Sequence, residues 1–254
     1  MELFYRDLGA GEPLLIMHGL FGSSDNWLSQ AQALSVNYRV IIPDLRDHGN
    51  SPHSESLRYP LMAADVLGLI DRLGLEKPHL LGHSMGGKVV LQCAAMNAGA
   101  LGKLIVADIA PRRYPVMHRE ILDALLSLNL DGFRQRREAE AALARSLTND
   151  AVRMFLLKNL SRDEDGNFRW KINLPLIDRD IEHIGDEISL PDKIQNPILL
   201  IHGGRSPYVM ADDIARYRSV FSSIQVKTLP GSGHWVHADE PAAFLAAVQS
   251  FLEA

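Results

Sequence analysis

Cysteine, long apolar runs and a basic start are all scarce or missing in this 254-residue sequence. The single cysteine, Cys93, excludes an internal disulfide, and its apolar helical surroundings favour a small buried thiol in a reducing compartment. No run approaches the roughly 18 apolar residues of a membrane-spanning helix. The N-terminus also lacks the basic and apolar parts of a secretion signal. We therefore expect a soluble, cytoplasmic protein with no membrane partner.

Positive charge is not in excess either. The 26 Lys and Arg residues stand against 31 Asp and Glu residues, which gives a formal net charge of −5 and no field to hold nucleic acid. The histidines lack a metal-binding spacing, so neither a metal nor an organic cofactor is expected. A chain of this length buries a sizeable core, as one α/β domain or as a core domain with an insertion. We expect a monomer or a small homo-oligomer that acts on a small molecule.

Short apolar runs rich in β-branched residues recur along the chain and suit strands that are buried on both faces. Segments with helical periodicity separate most of them, which predicts a mostly parallel central sheet flanked by helices. The predicted strands are 13–18, 38–43, 78–82, 103–108, 197–202 and 224–229, and the clearest helices are 61–73, 85–96 and 242–251.

The interval 112–190 breaks this alternation. It contains no convincing strand and instead holds the amphipathic helical patterns ILDALLSL, RREAEAALARSL and AVRMFLLKNL. The interval is too long for a simple crossover and too periodic for a loop. We predict a core domain formed by 1–111 and 191–254, with 112–190 as a helical cap over one edge of the sheet.

A serine lies between two glycines directly after a predicted strand, in Gly82-His83-Ser84-Met85-Gly86. This G-x-S-x-G spacing permits the strained strand-to-helix turn called a nucleophile elbow, because glycines at both ends avoid collisions with the neighbouring backbone. The helix that begins near Met85 points unpaired N–H groups at the site, where they favour a developing oxyanion. Ser84 is therefore the candidate nucleophile.

The glycine-rich loop His18-Gly19-Leu20-Phe21-Gly22 follows the first predicted strand. Such a loop can bring one backbone N–H to the oxyanion, and the residue after the nucleophile supplies the second. We predict Leu20 and Met85 as the two donors. Phe21 is the competitor of Leu20, because the sequence does not fix which amide of the loop faces inward. We interpret the His18 side chain as a structural part of the turn.

A serine hydroxyl is a weak nucleophile until a neighbouring imidazole takes its proton. His234 lies in a glycine-rich loop, GSGHW, between the last predicted strand and the last helix, and is the predicted base. His237 is the alternative, although its position nearer the helix favours a local contact. Three further histidines are interpreted as structural or lining: His48, His83 and His202.

Four motifs, HGLFGS, PDLRDHGNS, GHSMGG and GSGHW, occur in the order and at the separations of the α/β-hydrolase superfamily, and this resemblance covers essentially the whole chain. The pair ADIAP and GGRSPYV is similar to one branch, the small bacterial YbfF-type esterases. The resemblance implies an α/β-hydrolase fold and serine chemistry. It also implies that the charges of the DLRDHGNS segment are mutually satisfied within a structured turn.

The commonest α/β-hydrolase pattern places an aspartate after the strand PILLIH, but Ser206 stands there in this chain. Asp212 and Asp213 follow at a helix start, where capping already explains them. Asp108 ends the strand next to the nucleophile strand, so its carboxylate can reach the same imidazole. The resemblance implies the same choice, with an aspartate matching Asp108 as the acid and Ser206 as an auxiliary partner of the histidine.

These residues predict a serine hydrolase that acts by acyl transfer on a small carboxylic ester or thioester, with Ser84 as nucleophile, His234 as base and Asp108 as orienting acid. The alternatives are a carbon–carbon bond hydrolase of the same fold and a ligand-binding protein that has lost turnover. The predicted substrate-binding residues are Phe21, His83, Tyr114, Trp170, Tyr208 and Trp235.

Overall fold

A seven-stranded sheet forms the centre of the protein, in a computed structural model that describes all 254 residues. The order across the sheet is β1-β3-β2-β4-β5-β8-β9, and a separate two-stranded sheet contains β6 and β7. The strands are β1 Tyr5–Leu8, β2 Glu12–Met17, β3 Tyr38–Pro43, β4 His79–His83, β5 Leu104–Ala107, β6 Leu160–Arg162, β7 Phe168–Trp170, β8 Ile198–Gly203 and β9 Ile224–Leu229.

All six predicted strands are present and pair in parallel, as buried apolar runs joined by helices require. The sequence prediction missed β1, which pairs antiparallel with β3 at the edge of the sheet. Its sequence, YRDL, is only partly buried and does not form an apolar run. The observed sheet and its flanking helices confirm the predicted fold class.

Helices cover both faces of the sheet. One face packs against α2 and α3 in a cluster of 49 buried residues, and the other packs against α1 and α10 in a cluster of 19. None of the ten helices combines the length and apolar character that crossing a bilayer requires. The helices are α1 Leu28–Leu34, α2 Tyr59–Arg72, α3 Met85–Asn97, α4 Arg119–Leu126, α5 Arg136–Leu143, α6 Asp150–Leu157, α7 Leu174–Ile184, α8 Ala211–Val220, α9 Val236–Asp239 and α10 Pro241–Glu253.

The 112–190 segment contains α4, α5, α6 and α7 together with the β6–β7 hairpin. The hairpin departs from the expectation of a segment without strands, because each of its strands is only three residues long and carries no alternating pattern. The chain leaves and rejoins the core at neighbouring points. The Tyr114 N–H donates to the Gly185 carbonyl at 2.8 Å, and the Ile188 N–H donates to the Pro111 carbonyl at 2.8 Å.

The register of the central strands positions the site. His83 of β4 pairs with Ala107 of β5, so the next residue of each strand, Ser84 and Asp108, emerges at the same edge. The Ser84 N–H donates to the Ala107 carbonyl at 3.0 Å, which fixes this alignment. This is the carboxyl edge of the parallel strands, where ligands bind in open α/β sheets.

Candidate active site

Ser84 lies at the turn between β4 and α3, with the strained backbone angles φ 53° and ψ −119°. The neighbouring glycines are required by close backbone contacts. A Cβ atom on Gly82 would lie 2.2 Å from the Gly86 carbonyl oxygen, and one on Gly86 would lie 2.4 Å from the Met17 carbonyl oxygen. The turn therefore presents the Ser84 hydroxyl at the head of α3, beside the first, unpaired N–H groups of that helix.

A continuous chain of hydrogen bonds joins three of the predicted site residues. The Ser84 hydroxyl lies 3.0 Å from His234 Nε2, and His234 Nδ1 lies 2.7 Å from Asp108 Oδ2. Because a carboxylate only accepts hydrogen bonds, Nδ1 carries the ring proton and Nε2 is free to accept one from the serine. The structure thus brings Ser84, His234 and Asp108 together in the arrangement that acyl transfer needs.

Asp108 is fully buried and accepts two further hydrogen bonds. The Gly203 N–H donates to Oδ1 at 3.0 Å, and the Ser206 hydroxyl donates to Oδ2, the oxygen that also faces the histidine. Ser206 in turn accepts from the Tyr208 N–H at 3.3 Å. These donors occupy the lone pairs of the buried carboxylate and hold its orientation.

Three contacts orient His234. Its Nδ1–H donates to Asp108, and its backbone carbonyl accepts a 2.8 Å hydrogen bond from His83 Nε2. The Tyr208 ring stacks on the His234 ring at a centroid distance of 3.8 Å and an angle of 15°. Burial holds the pKa of His83 well below its usual range, so His83 is neutral and donates through one nitrogen only.

The structure does not place the alternative base or the alternative acids in the hydrogen-bonded chain with Ser84. The ring of His237, the alternative base, stacks on Trp27 at a centroid distance of 4.2 Å. Asp213 accepts from the Met210 N–H at 2.9 Å and pairs with Arg112, while Asp212 is an exposed residue of the first turn of α8. Both aspartates therefore occupy the helix-start environment that the sequence predicted for them.

The loop after β2 distinguishes the two candidate oxyanion donors. The Phe21 N–H donates to His48 Nε2 at 3.3 Å, and the Gly22 N–H donates to the Gly19 carbonyl at 2.9 Å. The Leu20 N–H has no acceptor within the protein, and neither does the N–H of Met85 at the start of α3. Free backbone donors beside a nucleophile are the groups that an oxyanion hole uses.

Two buried histidines support this loop. His18 Nδ1 donates to the Gly19 carbonyl at 2.8 Å, and its Nε2 accepts from the Leu45 N–H at 2.9 Å. His48 Nδ1 donates to the Arg46 carbonyl at 2.9 Å, which leaves its Nε2 as the acceptor for the loop. Burial lowers the pKa of His18 to about 4 and that of His48 to about 3, so both are neutral supports.

A cavity of about 470 Å³ opens above the serine. Among the residues predicted to bind substrate, Phe21, His83 and Trp235 line it. Tyr114 and Tyr208 instead line a much smaller pocket of about 20 Å³ behind Ser84, where the Tyr114 hydroxyl donates to the Tyr208 carbonyl at 2.5 Å.

Trp170 lines neither pocket. It lies on β7, paired with Leu160 of β6, and is partly buried against the main hydrophobic cluster. The structure therefore does not bring this predicted substrate-binding residue to the serine. The 112–190 segment was predicted to be entirely helical, and Trp170 lies in its unpredicted hairpin. The position of its side chain could therefore not be inferred from the sequence.

The 112–190 segment contributes further lining residues, termed the roof, that no sequence motif indicated. They belong to α4, to α6 and to the residues next to these helices, and they carry no catalytic motif. The helical pattern of α6 contained a signal, because an amphipathic helix in an insertion can direct one face to a ligand. The roof residues are His118, Ile121, Val152, Met154, Phe155 and Lys158.

The seven-stranded sheet, the serine on its elbow and the hydrogen-bonded histidine and aspartate define an α/β hydrolase. Residues 12–241 match the model of the α/β-hydrolase fold family, and the chain belongs to that family.

Among similar proteins, the solved structure of a marine microorganism esterase is 40% identical, with a TM-score of 0.96 over 98% of this chain and 99% of that one. Esterase YbfF from Escherichia coli is 35% identical over 94% of this chain and 92% of its own length. An sn-1-specific diacylglycerol lipase from Xenopus tropicalis is 33% identical over 98% of this chain and 80% of its own length. These similarities confirm the resemblance to the YbfF-type branch.

Proposed function

We propose that this protein is a serine hydrolase that cleaves small carboxylic esters or thioesters through an acyl-enzyme. The observation that carries the proposal is the hydrogen-bonded chain from Ser84 through His234 to the buried Asp108. The relatives described above support the same reaction class, because they are named as esterases and a lipase.

In the proposed reaction, Ser84 Oγ attacks the ester carbonyl while His234 Nε2 takes its proton. Asp108 stabilises the resulting imidazolium, and Ser206 holds the carboxylate in place. The Leu20 and Met85 N–H groups stabilise the negative charge on the carbonyl oxygen. Collapse of this intermediate expels the alcohol or thiol, which receives the proton from Nε2.

Deacylation repeats these steps with water as the nucleophile. His234 Nε2 takes a proton from the water as its oxygen attacks the acyl carbon, and the proton returns to Ser84 Oγ as the acid leaves. Every proton is accounted for by Ser84, His234, water and the substrate.

Cys93 takes no part in the proposed reaction, since it is a buried free thiol. A free thiol suits the reducing cytoplasm in which we place the enzyme.

We further propose that the 112–190 segment is a cap over the core formed by 1–111 and 191–254, and that the cap controls which acyl groups reach the serine. Support comes from α4 and α6, which supply Ile121, Val152 and Phe155 to the cavity of about 470 Å³. Apolar side chains on this roof favour an apolar acyl chain.

Substitution of the nucleophile tests the proposal. Ser84→Ala should abolish turnover of p-nitrophenyl butyrate and covalent labelling by a fluorophosphonate, with an unchanged circular dichroism spectrum. Ser29→Ala is the matched control, because Ser29 lines the same cavity and its hydroxyl donates to Gln30 Oε1. Wild-type turnover in Ser84→Ala would refute the assignment. A single slow acylation without turnover in the wild-type protein would instead favour a ligand-binding role.

A further inference from the structure

Lys88 is a buried cation that the proposed reaction does not use. It lies in α3 one turn after the nucleophile, where its N–H donates to the Ser84 carbonyl at 3.1 Å, and it is only 1% exposed. Lysine is almost never fully buried unless its ammonium group is partnered. Lys88 forms no salt bridge with any carboxylate, so its partners must be neutral.

Those partners are three backbone carbonyls. Nζ donates to the carbonyls of Arg112 at 3.0 Å, Gly185 at 3.2 Å and Asp186 at 2.5 Å. An ammonium group has three N–H donors, so each donor has one carbonyl. The rings of Tyr59 and Tyr114 lie 5.5 Å and 4.8 Å from Nζ, within the range in which an aromatic face attracts a cation.

The three carbonyls belong to the two ends of the 112–190 segment. Arg112 lies where the chain leaves the core, and Gly185 and Asp186 lie where α7 ends and the chain returns. The two ends also contact each other closely, since a Cβ atom on Gly185 would lie 2.2 Å from the Tyr114 carbonyl oxygen. Lys88 thus joins both ends to the helix that carries Ser84.

The geometry points to Lys88 as a positioning residue that fixes the 112–190 segment over the cavity and thereby sets the acyl selectivity of the proposed ester hydrolysis. From Arg112 the chain continues through residues 113–118 into α4, and His118 and Ile121 belong to the roof. A shift of this end would move the roof while leaving Ser84, His234 and Asp108 on the core. We therefore expect Lys88 to act on substrate binding more than on the chemical step.

The matched control is Lys103. Its Nζ also donates to two backbone carbonyls, of Phe251 at 3.2 Å and Leu252 at 2.7 Å, and it lies 5.8 Å from the Phe251 ring. These contacts secure the end of α10 and involve no residue of the 112–190 segment. Lys88→Met and Lys103→Met therefore remove similar interactions from different places.

The experiment measures kcat and KM for p-nitrophenyl esters from acetate to decanoate, together with amide hydrogen exchange of both variants. Burial lowers the pKa of Lys88 to about 7, so the measurements are made at pH 6, where the ammonium form predominates. We expect Lys88→Met to raise KM for the long esters by about tenfold, with kcat and the acetate KM changed by less than about threefold. Residues 112–118 and 184–190 should exchange faster in Lys88→Met and at the wild-type rate in Lys103→Met.

Unchanged selectivity and exchange in Lys88→Met would overturn the inference, as would the same changes in Lys103→Met. If Lys88→Met does not fold, Lys88→Gln is the second variant, because it retains two N–H donors. It should show the same changes in KM and hydrogen exchange at smaller size. Wild-type KM values and exchange rates in Lys88→Gln would also overturn the inference. The inference rests on the proposed ester hydrolysis for its kinetic part only. Failure of the proposed function would appear as an inactive, unlabelled wild-type protein, whereas hydrogen exchange tests the role of Lys88 without any turnover.

Discussion

The phenol ring of Tyr208 lies parallel to the imidazole of His234, with 3.8 Å between the ring centroids. The Tyr208 N–H also donates to Ser206, which donates to Asp108. Tyr208 therefore helps to fix both the orientation of the His234 ring and the orientation of the Asp108 carboxylate. Tyr208 follows the strand that lacks the usual aspartate. The sequence predicted that it would contact the substrate, whereas the structure places it behind the imidazole.

The position of the acid leads to a graded prediction. Asp108→Asn should lower kcat by about four orders of magnitude, the size of loss that the same change causes in the Ser-His-Asp triad of a serine protease. An amide group cannot stabilise the imidazolium, and it favours the wrong tautomer of the histidine. Ser206→Ala should lower kcat by only about tenfold to a hundredfold, since the carboxylate remains. The measurement is kcat for a short p-nitrophenyl ester in each variant.

Asp212→Asn and Asp213→Asn are the controls for this series, and both should retain near-normal kcat. Asp213 pairs with Arg112 and the Met210 N–H, so its loss should lower thermal stability without removing the base. Near-normal activity in Asp108→Asn beside a collapse in either control would show that the acid has been misassigned.

The roof of the cavity gives a prediction about selectivity. Phe155 of α6 lines the cavity, and its ring centroid lies 6.1 Å from that of Trp235. Phe155→Ala should enlarge the cavity and raise the ratio of kcat/KM for a decanoate ester to that for an acetate ester by about tenfold. Trp170→Ala, at a β6–β7 hairpin residue that does not line the cavity, should leave this ratio unchanged. An equal change in both variants would count against a lining role for Phe155.

Buried histidines predict how stability depends on pH. Burial lowers the pKa of His18 to about 4, and the pKa values of His48 and His237 to about 3. The unfolded chain, with histidine pKa values near 6.5, therefore binds more protons than the folded protein between about pH 4 and 6.5. The stabilisation is fully present above pH 6.5 and is lost as the pH falls through this window. At pH 5 each imidazole should lower the free energy of unfolding by about 2 kcal/mol relative to pH 7.5.

Urea denaturation at the two pH values measures this loss, and one histidine can be removed cleanly. The Nδ1 of His237 is buried without a hydrogen-bond partner, and its ring stacks on Trp27. His237→Phe should keep the stacking and reduce the pH-dependent loss by about one third of that expected for the three imidazoles. If His237→Phe and the wild-type protein lose the same free energy of unfolding between pH 7.5 and pH 5, His237 does not contribute to the pH dependence as expected.

Much of the fold could be predicted because the core strands are apolar runs and the catalytic motifs follow them directly. The elbow at Ser84 and the loop at His234 each follow a predicted strand directly. Their positions in the sequence therefore placed both residues at the carboxyl edge of the sheet. The β1 strand escaped prediction because an edge strand with a polar, half-buried sequence has no distinctive periodicity. The β6–β7 hairpin escaped because its strands are too short to show one.

The parts of the site that could not be predicted depend on contacts between distant segments. Lys88 lies in a helical pattern in which lysine is ordinarily exposed, and its burial follows only from the approach of Arg112 and Gly185. The choice between Leu20 and Phe21 depends on the acceptor that His48 Nε2 offers across the structure. Phe155 belongs to a segment without motifs, so its place in the cavity lining depends on how the 112–190 segment packs.

Three of the five non-glycine residues with positive φ lie at the site: Phe21 at 60°, Ser84 at 53° and Asp108 at 51°. Residues held in such regions each carry about 1–3 kcal/mol of strain, and glycine at these positions would relieve it. At Asp108 this relief is outweighed, because its loss would leave the buried donors of Gly203, Ser206 and His234 without an acceptor. Selection for heat resistance alone would favour Ser84→Gly, which removes the nucleophile. Thermal tolerance and turnover are therefore opposed at Ser84, and a directed-evolution screen that rewards only survival on heating is expected to enrich protein without the nucleophile.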